Sequence, residues 1–447
     1  MFSTDAPPWR GVGFIQDNYD MRNYHIWTIG CQMNQAESER LSALLNTCGL
    51  RQTNVAAEAD IILLNTCVVR QSAQDRVVSK LNSLKEFKIK KPEALLAVTG
   101  CLVDSNTTQL HQRFPQVDFF FQPGNFDQFQ TWAKEHGLAN GIKNIALPNG
   151  PTCFVPIIQG CANFCSYCIV PYRRGPQHSR PLPVILQEVI QLVSSGVKEV
   201  TLLGQNVNAY GHDLLPPTDL AELLTELNRI EGLKRIRFLT NHPRDMSPRI
   251  ISAVAELDKV CEHLNLPLQA GDDAILTAMR RGYSATDYCN LVATIRQAIP
   301  DIALSTDIIV GFPGETQEQF QCTYKLIQEL RFDTVHTAMY SPRPGTQAAR
   351  KLKDSVSPTI KKQRQQLIEK LQEQIADELN ATLLGKSVEI LVEGRNRERW
   401  YGRTRTNKLV FFEDNGQWQG LTAQVKIEKG GPWWLLGKVE TSSENTQ

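Results

Sequence analysis

Three cysteines between Gln159 and Pro171, namely Cys161, Cys165 and Cys168, follow the spacing C-x3-C-x2-C. An apolar run at 154–158 precedes them and reads as a buried strand, so the three thiols sit on the loop that leaves it. Intervals this short let the chain wrap a small metal centre while three thiolates close on one face of it. A structural zinc site or an electron-transfer cluster fills its shell with four protein ligands. With three, a cubane cluster keeps one iron for a substrate or cofactor. Spacing alone leaves open a zinc knuckle that borrows a fourth ligand, such as His178, from elsewhere.

A second set of thiols is spread more widely. Apolar runs at 24–29, 59–66 and 94–100 end at Cys31, Cys67 and Cys101, with helical patterns at 34–45 and 74–85 between them. Strands alternating with helices imply right-handed crossovers and a parallel sheet, so the three strand ends share one edge. That edge is where open α/β sheets bind ligands. Cys31, Cys67 and Cys101 are therefore expected to share a metal site. Cys48, Cys153, Cys261, Cys289 and Cys322 show no common phase and read as structural.

The elements that must position these thiols form a long chain. At 447 residues two or three domains are expected, and 41% hydrophobic with 21% charged residues is an ordinary globular composition. A net charge of +1 excludes a uniformly basic nucleic-acid binder but not a local basic patch. Eleven cysteines in so long a chain do not suggest a disulfide scaffold. With no signal-peptide core and no apolar run of about 18 residues, the reading is a cytoplasmic protein with reduced thiols and no membrane partner. The expected division is a disordered tail at 1–21, an α/β domain at 22–138, a linker at 139–151, a partial barrel at 152–375, a small β-barrel at 376–440 and a tail at 441–447.

The central part repeats strand then helix about six times, with strands expected at 154–158, 199–203, 235–239, 260–266, 302–310 and 334–339. Six units make an open, partial (β/α)6 barrel, whose chemistry belongs at the carboxyl ends of the strands. Those ends carry the cysteine loop, then Gln205, Asn206 and Asn208, Asn241 and His242, Gln269, Glu315, and Ser341 with Arg343. A long helix is expected at 357–383, capped by Ser357, followed by five short strands that suggest a small β-barrel. In that module Arg395, Arg397, Arg399, Arg403, Arg405 and Lys408 lie near Trp400 and Tyr401. Cations for phosphates and aromatic faces for unpaired bases suit loop RNA.

Taken together, the motifs resemble a known family. Cys161-x3-Cys165-x2-Cys168 with Tyr167, the Leu203-Gly204-Gln205 turn and the glycine-bearing strand around Gly311 resemble the radical S-adenosylmethionine superfamily. Gly30-Cys31-Gln32-Met33-Asn34, Gln205-Asn206-Val207-Asn208, His242-Pro243-Arg244-Asp245 and Tyr340-Ser341-Pro342-Arg343 narrow the resemblance to the MiaB family of tRNA methylthiotransferases, over about residues 22–440. One departure is the stretch Gly175-Pro176-Gln177-His178-Ser179-Arg180, where the family leads one to expect a glutamate before Ser179.

The resemblance implies a transferase that methylthiolates C2 of N6-isopentenyladenosine 37, beside the tRNA anticodon, consuming two S-adenosylmethionines. It implies two [4Fe-4S] clusters. One, on Cys161, Cys165 and Cys168, binds and cleaves S-adenosylmethionine to a deoxyadenosyl radical; the other, on Cys31, Cys67 and Cys101, supplies or relays sulfur. Tyr167, Gly204, Gln205, Asn206 and Gly311 are the implied S-adenosylmethionine contacts, and the C-terminal barrel is an OB-like, RNA-binding TRAM domain. Arg173, Arg174 and Arg180 are candidates for guiding RNA phosphate. Implied partners are tRNA, an electron donor such as a flavodoxin or ferredoxin, and the iron–sulfur assembly machinery. Two alternatives stand beside this reading. The same chemistry could act on threonylcarbamoyladenosine in tRNA or on a ribosomal-protein aspartate, or the chain could be a non-catalytic, metal-binding RNA-binding protein.

Overall fold

The computed structural model describes residues 23–104, 106–138 and 150–440. The expected tails, and the expected linker over 139–149, lie outside the described residues.

The first unit is a five-stranded parallel sheet built from β1 (Asn23–Thr28), β2 (Arg51–Gln52), β3 (Ile61–Thr66), β4 (Leu95–Gly100) and β5 (Phe119–Phe120), in the order β2-β1-β3-β4-β5. Every residue of β3 is buried, as a strand covered on both faces requires. One apolar layer holds Leu64, Val77, Leu81 and Val98; the other holds Leu41, Leu45, Leu63 and Phe129. Helix α1 (Gln32–Thr47) joins β1 to β2, and α2 (Gln71–Lys90) joins β3 to β4.

The second unit is the expected partial barrel. Two parallel three-stranded sheets, one of β6 (Thr152–Pro156), β9 (Glu199–Leu203) and β10 (Arg235–Phe238), the other of β11 (His263–Asn265), β12 (Ala303–Val310) and β13 (Thr334–Met339), meet at an isolated bridge between Ile236 and Val260. Between β6 and β9 a short antiparallel pair, β7 (Ile158–Gln159) with β8 (His178–Ser179), closes the base of the cysteine loop. Among the described residues β6 and β13 are not paired with each other, so the barrel stays open on that side. Helix α1 lies against β6 on one margin, where Met33 and Ala36 pack on Leu203.

A continuous helix, Pro358–Ala381, packs on β12, β13 and the later strand Thr422–Gly431, and runs through the position where the expected boundary divides barrel from C-terminal module. Ser357 caps it by accepting a hydrogen bond from the Ile360 amide, with Pro358 in the first turn. Beyond it β14 (Ser387–Asn396), β15 (Arg399–Thr404), β16 (Leu409–Glu413), β17 (Thr422–Gly431) and β18 (Trp434–Glu440) form a closed barrel in the order β14-β15-β16-β18-β17. It docks on the amino-terminal ends of the central strands. Arg237 donates to the carbonyls of Thr404 and Arg405, both at 2.7 Å, Arg405 pairs with Glu262 at 2.6 Å, and Lys408 pairs with Asp333 at 2.8 Å.

Candidate metal and cofactor site

Strand pairing gathers the second trio. Thr66 is opposite Gly100 and Thr28 is opposite Asn65, so the residues just past β1, β3 and β4 stand side by side on neighbouring strands, about 4.8 Å from one strand to the next. Those residues include Cys31, Cys67 and Cys101. The turn before Cys101 needs glycine: Gly100 has φ +93°, and a Cβ there would meet the Thr66 carbonyl oxygen at 2.2 Å. Asn34, in the first turn of α1, ties the trio's loops together. Its amide donates to Asn65 Oδ1 at 2.8 Å and to the Thr66 carbonyl at 3.0 Å, and its Oδ1 accepts from Cys31 Sγ at 3.3 Å.

The first trio is held by a different device. Gly160, with φ +73°, lets the chain pass the Pro176 carbonyl, which a Cβ would meet at 2.0 Å. The loop then folds on itself, Cys165 N–H donating to the Asn163 carbonyl at 2.9 Å and Cys168 N–H to that of Cys165 at 3.1 Å. Ser166 anchors it, its amide donating to Met279 O at 3.0 Å and its hydroxyl to Ala278 O at 2.7 Å. Asp245 links this loop to the turn after β9, accepting from Asn206 at 2.7 Å and from Asn163 at 3.4 Å.

All six cysteines line one cavity of about 1250 Å³ that runs from the strand ends through the barrel interior. Burial pushes the Cys67 thiol pKa up to about 11, with Cys101 adding to the effect, and that of Cys168 up to about 12, with Cys165 adding to it. Two buried arginines face these thiols. Arg281 donates to Cys165 Sγ at 3.4 Å while its other groups bond the Pro267 carbonyl and Tyr283. Arg174 makes a two-pronged contact with Glu37 of α1 at 2.6 and 3.3 Å. Burial alone would lower the Arg174 pKa; Glu37 and the Cys101 and Cys31 thiols outweigh it and hold the guanidinium firmly charged.

Arg174 is thus correctly placed on the cysteine loop by the sequence reading but is not free for RNA phosphate, because it is buried against Glu37. Arg173 is paired with Asp104, and Arg180 with Glu188. A third crossing contact comes from Arg343, which donates to the Val68 carbonyl at 3.2 Å, Gln74 at 3.0 Å and Gln71 at 2.7 Å, next to Cys67. Together Arg174 and Arg343 fasten the two units so that both trios share one space.

Of the other expected contacts, Tyr167, Gly204, Gln205 and Asn206 line the cavity, as do Asn241, His242, Gln269, Ser341 and Arg343. Gly311 does not. Its amide donates to Glu315 at 2.6 Å and its Cα lies against Lys361, whose Cγ a Cβ would meet at 2.3 Å. Glu315 is itself paired with Arg364, and Asn208 is consumed by the backbone of His242. Cys153, read as structural, lines the cavity wall on β6. His178 is exposed on β8 and does not line the cavity, which removes it as the fourth ligand of a zinc knuckle. Its neighbour Ser179 is held by Asp213, through the amide at 2.8 Å and the hydroxyl at 2.5 Å.

The residues present fit a pair of iron–sulfur clusters with S-adenosylmethionine. Buried side-chain oxygens of Gln205, Asn206 and Asn241 have no hydrogen-bond partner and line the cavity, the signature of atoms kept for a polar ligand. The donor set beside them is thiol, and arginine hydrogen bonds to sulfur suit an anionic thiolate cluster. Among the described residues no three His, Cys, Asp or Glu side chains are grouped to hold a metal ion. A polynuclear cluster, in which each thiolate meets a different iron, asks for a wider spacing than a single ion.

In the C-terminal barrel the expected stacking face is partly redistributed. Trp400 is in the core, donating to the Asp414 carbonyl at 3.1 Å with Arg395 over its ring, whereas Arg395, Arg397 and Arg399 remain exposed. Arg405 and Lys408 serve the docking contacts described above. Trp433 and Trp434, which carry no charge and lie outside the basic stretch, are 53% and 41% exposed and line the same cavity at the end nearest the docked barrel, away from the cysteines. Their turn is pinned by Asn380, whose amide donates to the carbonyls of Gly431 and Pro432. Adjacent exposed tryptophans beside Gly and Pro were a signal the sequence did carry.

Three family models match parts of this chain. The radical SAM superfamily matches residues 155–327, the uncharacterized protein family UPF0004 residues 23–122, and the TRAM domain residues 381–439. A tRNA-2-methylthio-N(6)-dimethylallyladenosine synthase of Dehalococcoides mccartyi is 47% identical over 94% of this chain and 99% of its own length. Proteins of the same name from a Roseiflexus species and from Caldicellulosiruptor saccharolyticus are 46% identical over 95% of this chain and 90% of theirs, and 43% identical over 98% of both. Among solved structures, the radical S-adenosylmethionine methyltransferase TsrM of Kitasatospora setae superposes with a TM-score of 0.54 at 14% identity, covering 73% of this chain and 77% of its own.

Proposed function

Since the chain belongs to the tRNA-2-methylthio-N(6)-dimethylallyladenosine synthase family, and so is a radical S-adenosylmethionine transferase that methylthiolates tRNA, we propose that its two cysteine trios divide the reaction between them. Cys161, Cys165 and Cys168 would hold the [4Fe-4S] cluster that takes S-adenosylmethionine, and Cys31, Cys67 and Cys101 the second cluster. The observation that carries this reading is that both trios open onto one cavity. When bound, these groups supply the radical, the sulfur and the methyl group that replace the hydrogen on C2 of N6-isopentenyladenosine 37, a bond that side-chain acid–base chemistry does not activate.

The chain's own residues bind, orient and enclose. Gln205, Asn206 and Asn241 offer unpartnered oxygens to a polar ligand beside the first trio, and Tyr167 forms part of the wall there. Gly204 lets the turn after β9 lie against Ile158, whose Cγ2 a Cβ would meet at 2.2 Å. Gly311 has no place in this set, because its amide is already committed to Glu315. Arg281 holds positive charge against Cys165, and Arg174 does so beside Cys101 and Cys31.

The tRNA substrate would meet the C-terminal barrel, with exposed Trp433 and Trp434 as faces for unpaired bases and Arg395 and Arg397 for phosphates, Arg399 being paired with Glu413 at 2.8 Å. The chemistry calls for an electron donor such as a flavodoxin or ferredoxin and for the iron–sulfur assembly machinery. Among the described residues no helix is long and apolar enough to cross a membrane, and the tRNA substrate points to the cytoplasm. Mass spectrometry of tRNA nucleosides from cells with and without the protein tests the reading. Loss of 2-methylthio-N6-isopentenyladenosine on deletion supports it; loss of the threonylcarbamoyl counterpart alone would move the enzyme to that substrate. Anaerobically purified protein should carry about eight irons with sulfide per chain, and zinc in place of iron would sink the proposal.

A further inference from the structure

The loop of the first trio has two faces. Its inner face, with Asn163, Cys165, Tyr167 and Cys168, lines the cavity, whereas Phe164 and Tyr172 do not. Phe164 is 57% exposed and Tyr172 44%, and their rings meet edge to face at 6.1 Å on the outside of the loop. Phe164 is bonded through one peptide to Cys165, which is buried. Cations flank the pair. Arg244, 54% exposed and 3.6 Å from Asp245, reaches Asn163 of the same loop, and exposed Arg280 follows Met279, whose carbonyl receives the Ser166 amide.

We propose that this outer face is the docking surface for a small acidic one-electron carrier protein. The proposal rests on the radical S-adenosylmethionine reading, in which each reductive cleavage consumes one electron: the carrier is oxidised by one electron and the centre on Cys161, Cys165 and Cys168 is reduced by one. During that step the cavity side of the loop is filled by S-adenosylmethionine and the tRNA nucleoside, so the electron enters from the opposite side, where exposed Phe164 is the chain neighbour of buried Cys165. An exposed aromatic pair bordered by arginine has the composition of an interface core. A patch this small suits the brief, weak encounters of redox partners, and its positive rim favours an acidic carrier.

The test uses full-length, anaerobically reconstituted protein and reduced flavodoxin as the probe, following the bleaching of cluster absorbance after rapid mixing, with dithionite as a small-molecule control. The Phe164→Ala/Tyr172→Ala double variant and the Arg280→Asp variant should accept electrons from flavodoxin about tenfold more slowly, and the Arg280→Asp rate should lose much of its salt dependence. Their dithionite rates should match the parent protein, which separates docking from damage to the cluster. Flavodoxin rates within about twofold of the parent for both variants would overturn the proposal, as would unchanged flavodoxin rates combined with weakened binding of an anticodon stem-loop RNA, which would assign the face to tRNA. If dithionite fails to bleach even the parent protein, the cluster reading itself falls.

Discussion

Arg174 and Glu37 offer the sharpest test of how the two cysteine trios are held together. The pair bridges the helical turn after Cys168 and the helix that starts at Cys31, at 2.6 Å, with only 2% and 5% of the two side chains exposed. Replacing Arg174 with Met leaves the Glu37 carboxylate buried without its partner, a loss that costs about 3–5 kcal/mol. Exchanging both residues for Met removes both charges, and such apolar replacements of buried pairs are close to neutral. The single variant should therefore be crippled and the double variant largely recovered. Hydrogen exchange along α1 reports the opening of this contact: 3–5 kcal/mol corresponds to amides exchanging about 10²- to 10⁴-fold faster in Arg174→Met. Apo protein can be used, so the result does not depend on cluster loading. Exchange within about tenfold of the parent, or a double variant as labile as the single, would refute the idea that this pair fastens the two units.

The cysteines should separate by function. Cys161→Ala, Cys165→Ala or Cys168→Ala should abolish deoxyadenosine formation from S-adenosylmethionine, whereas Cys31→Ala, Cys67→Ala or Cys101→Ala should stop methylthiolation while some cleavage persists; product analysis by chromatography shows whether the two sets behave alike, which they must not. Trp433→Ala/Trp434→Ala should weaken binding of an anticodon stem-loop RNA by about 1–3 kcal/mol for each base that loses its stacking partner, with Tyr at both positions restoring most of it; titration showing no change would exclude the pair from RNA binding. Acid should act through His263, whose pKa is pushed down to about 3 by burial and then by Arg237, Arg403, His336 and Lys408. Between that value and the ordinary 6.5 or so, the unfolded chain takes up a proton that the folded chain refuses, so stability falls as pH falls through this window. From pH 6.5 to 4.5 this single residue accounts for about 2 kcal/mol. Urea unfolding of His263→Asn against the parent should show the variant losing that much less over the same range, and parallel pH profiles would rule the residue out.

What could be read along the chain was whatever depends on neighbours in sequence. The C-x3-C-x2-C loop, apolar runs ending in Cys31, Cys67 and Cys101, and five short alternating strands at the end are local patterns, and periodicity with turn chemistry converts them directly into loops, strand ends and a barrel. Parallel pairing with a fixed crossover hand then obliges the strand ends to share an edge, which is why the second trio was legible although its members are far apart in sequence.

Side-chain partnership across the fold was not legible in that way. Arg174 looked like its solvent-exposed neighbours until Glu37, 137 residues away, took its charge, and Arg281 gave no hint of reaching Cys165 across 116 residues. Arg405 and Lys408 belonged to a basic patch until docking assigned them to Glu262 and Asp333, and Trp400 went to the core while Trp433 and Trp434 stayed exposed. The physical reason is common to all of them. Whether an ionic or aromatic side chain ends in water, against an opposite charge or in a packed layer depends on which of these the backbone brings within a few ångströms, and only the tertiary arrangement decides that.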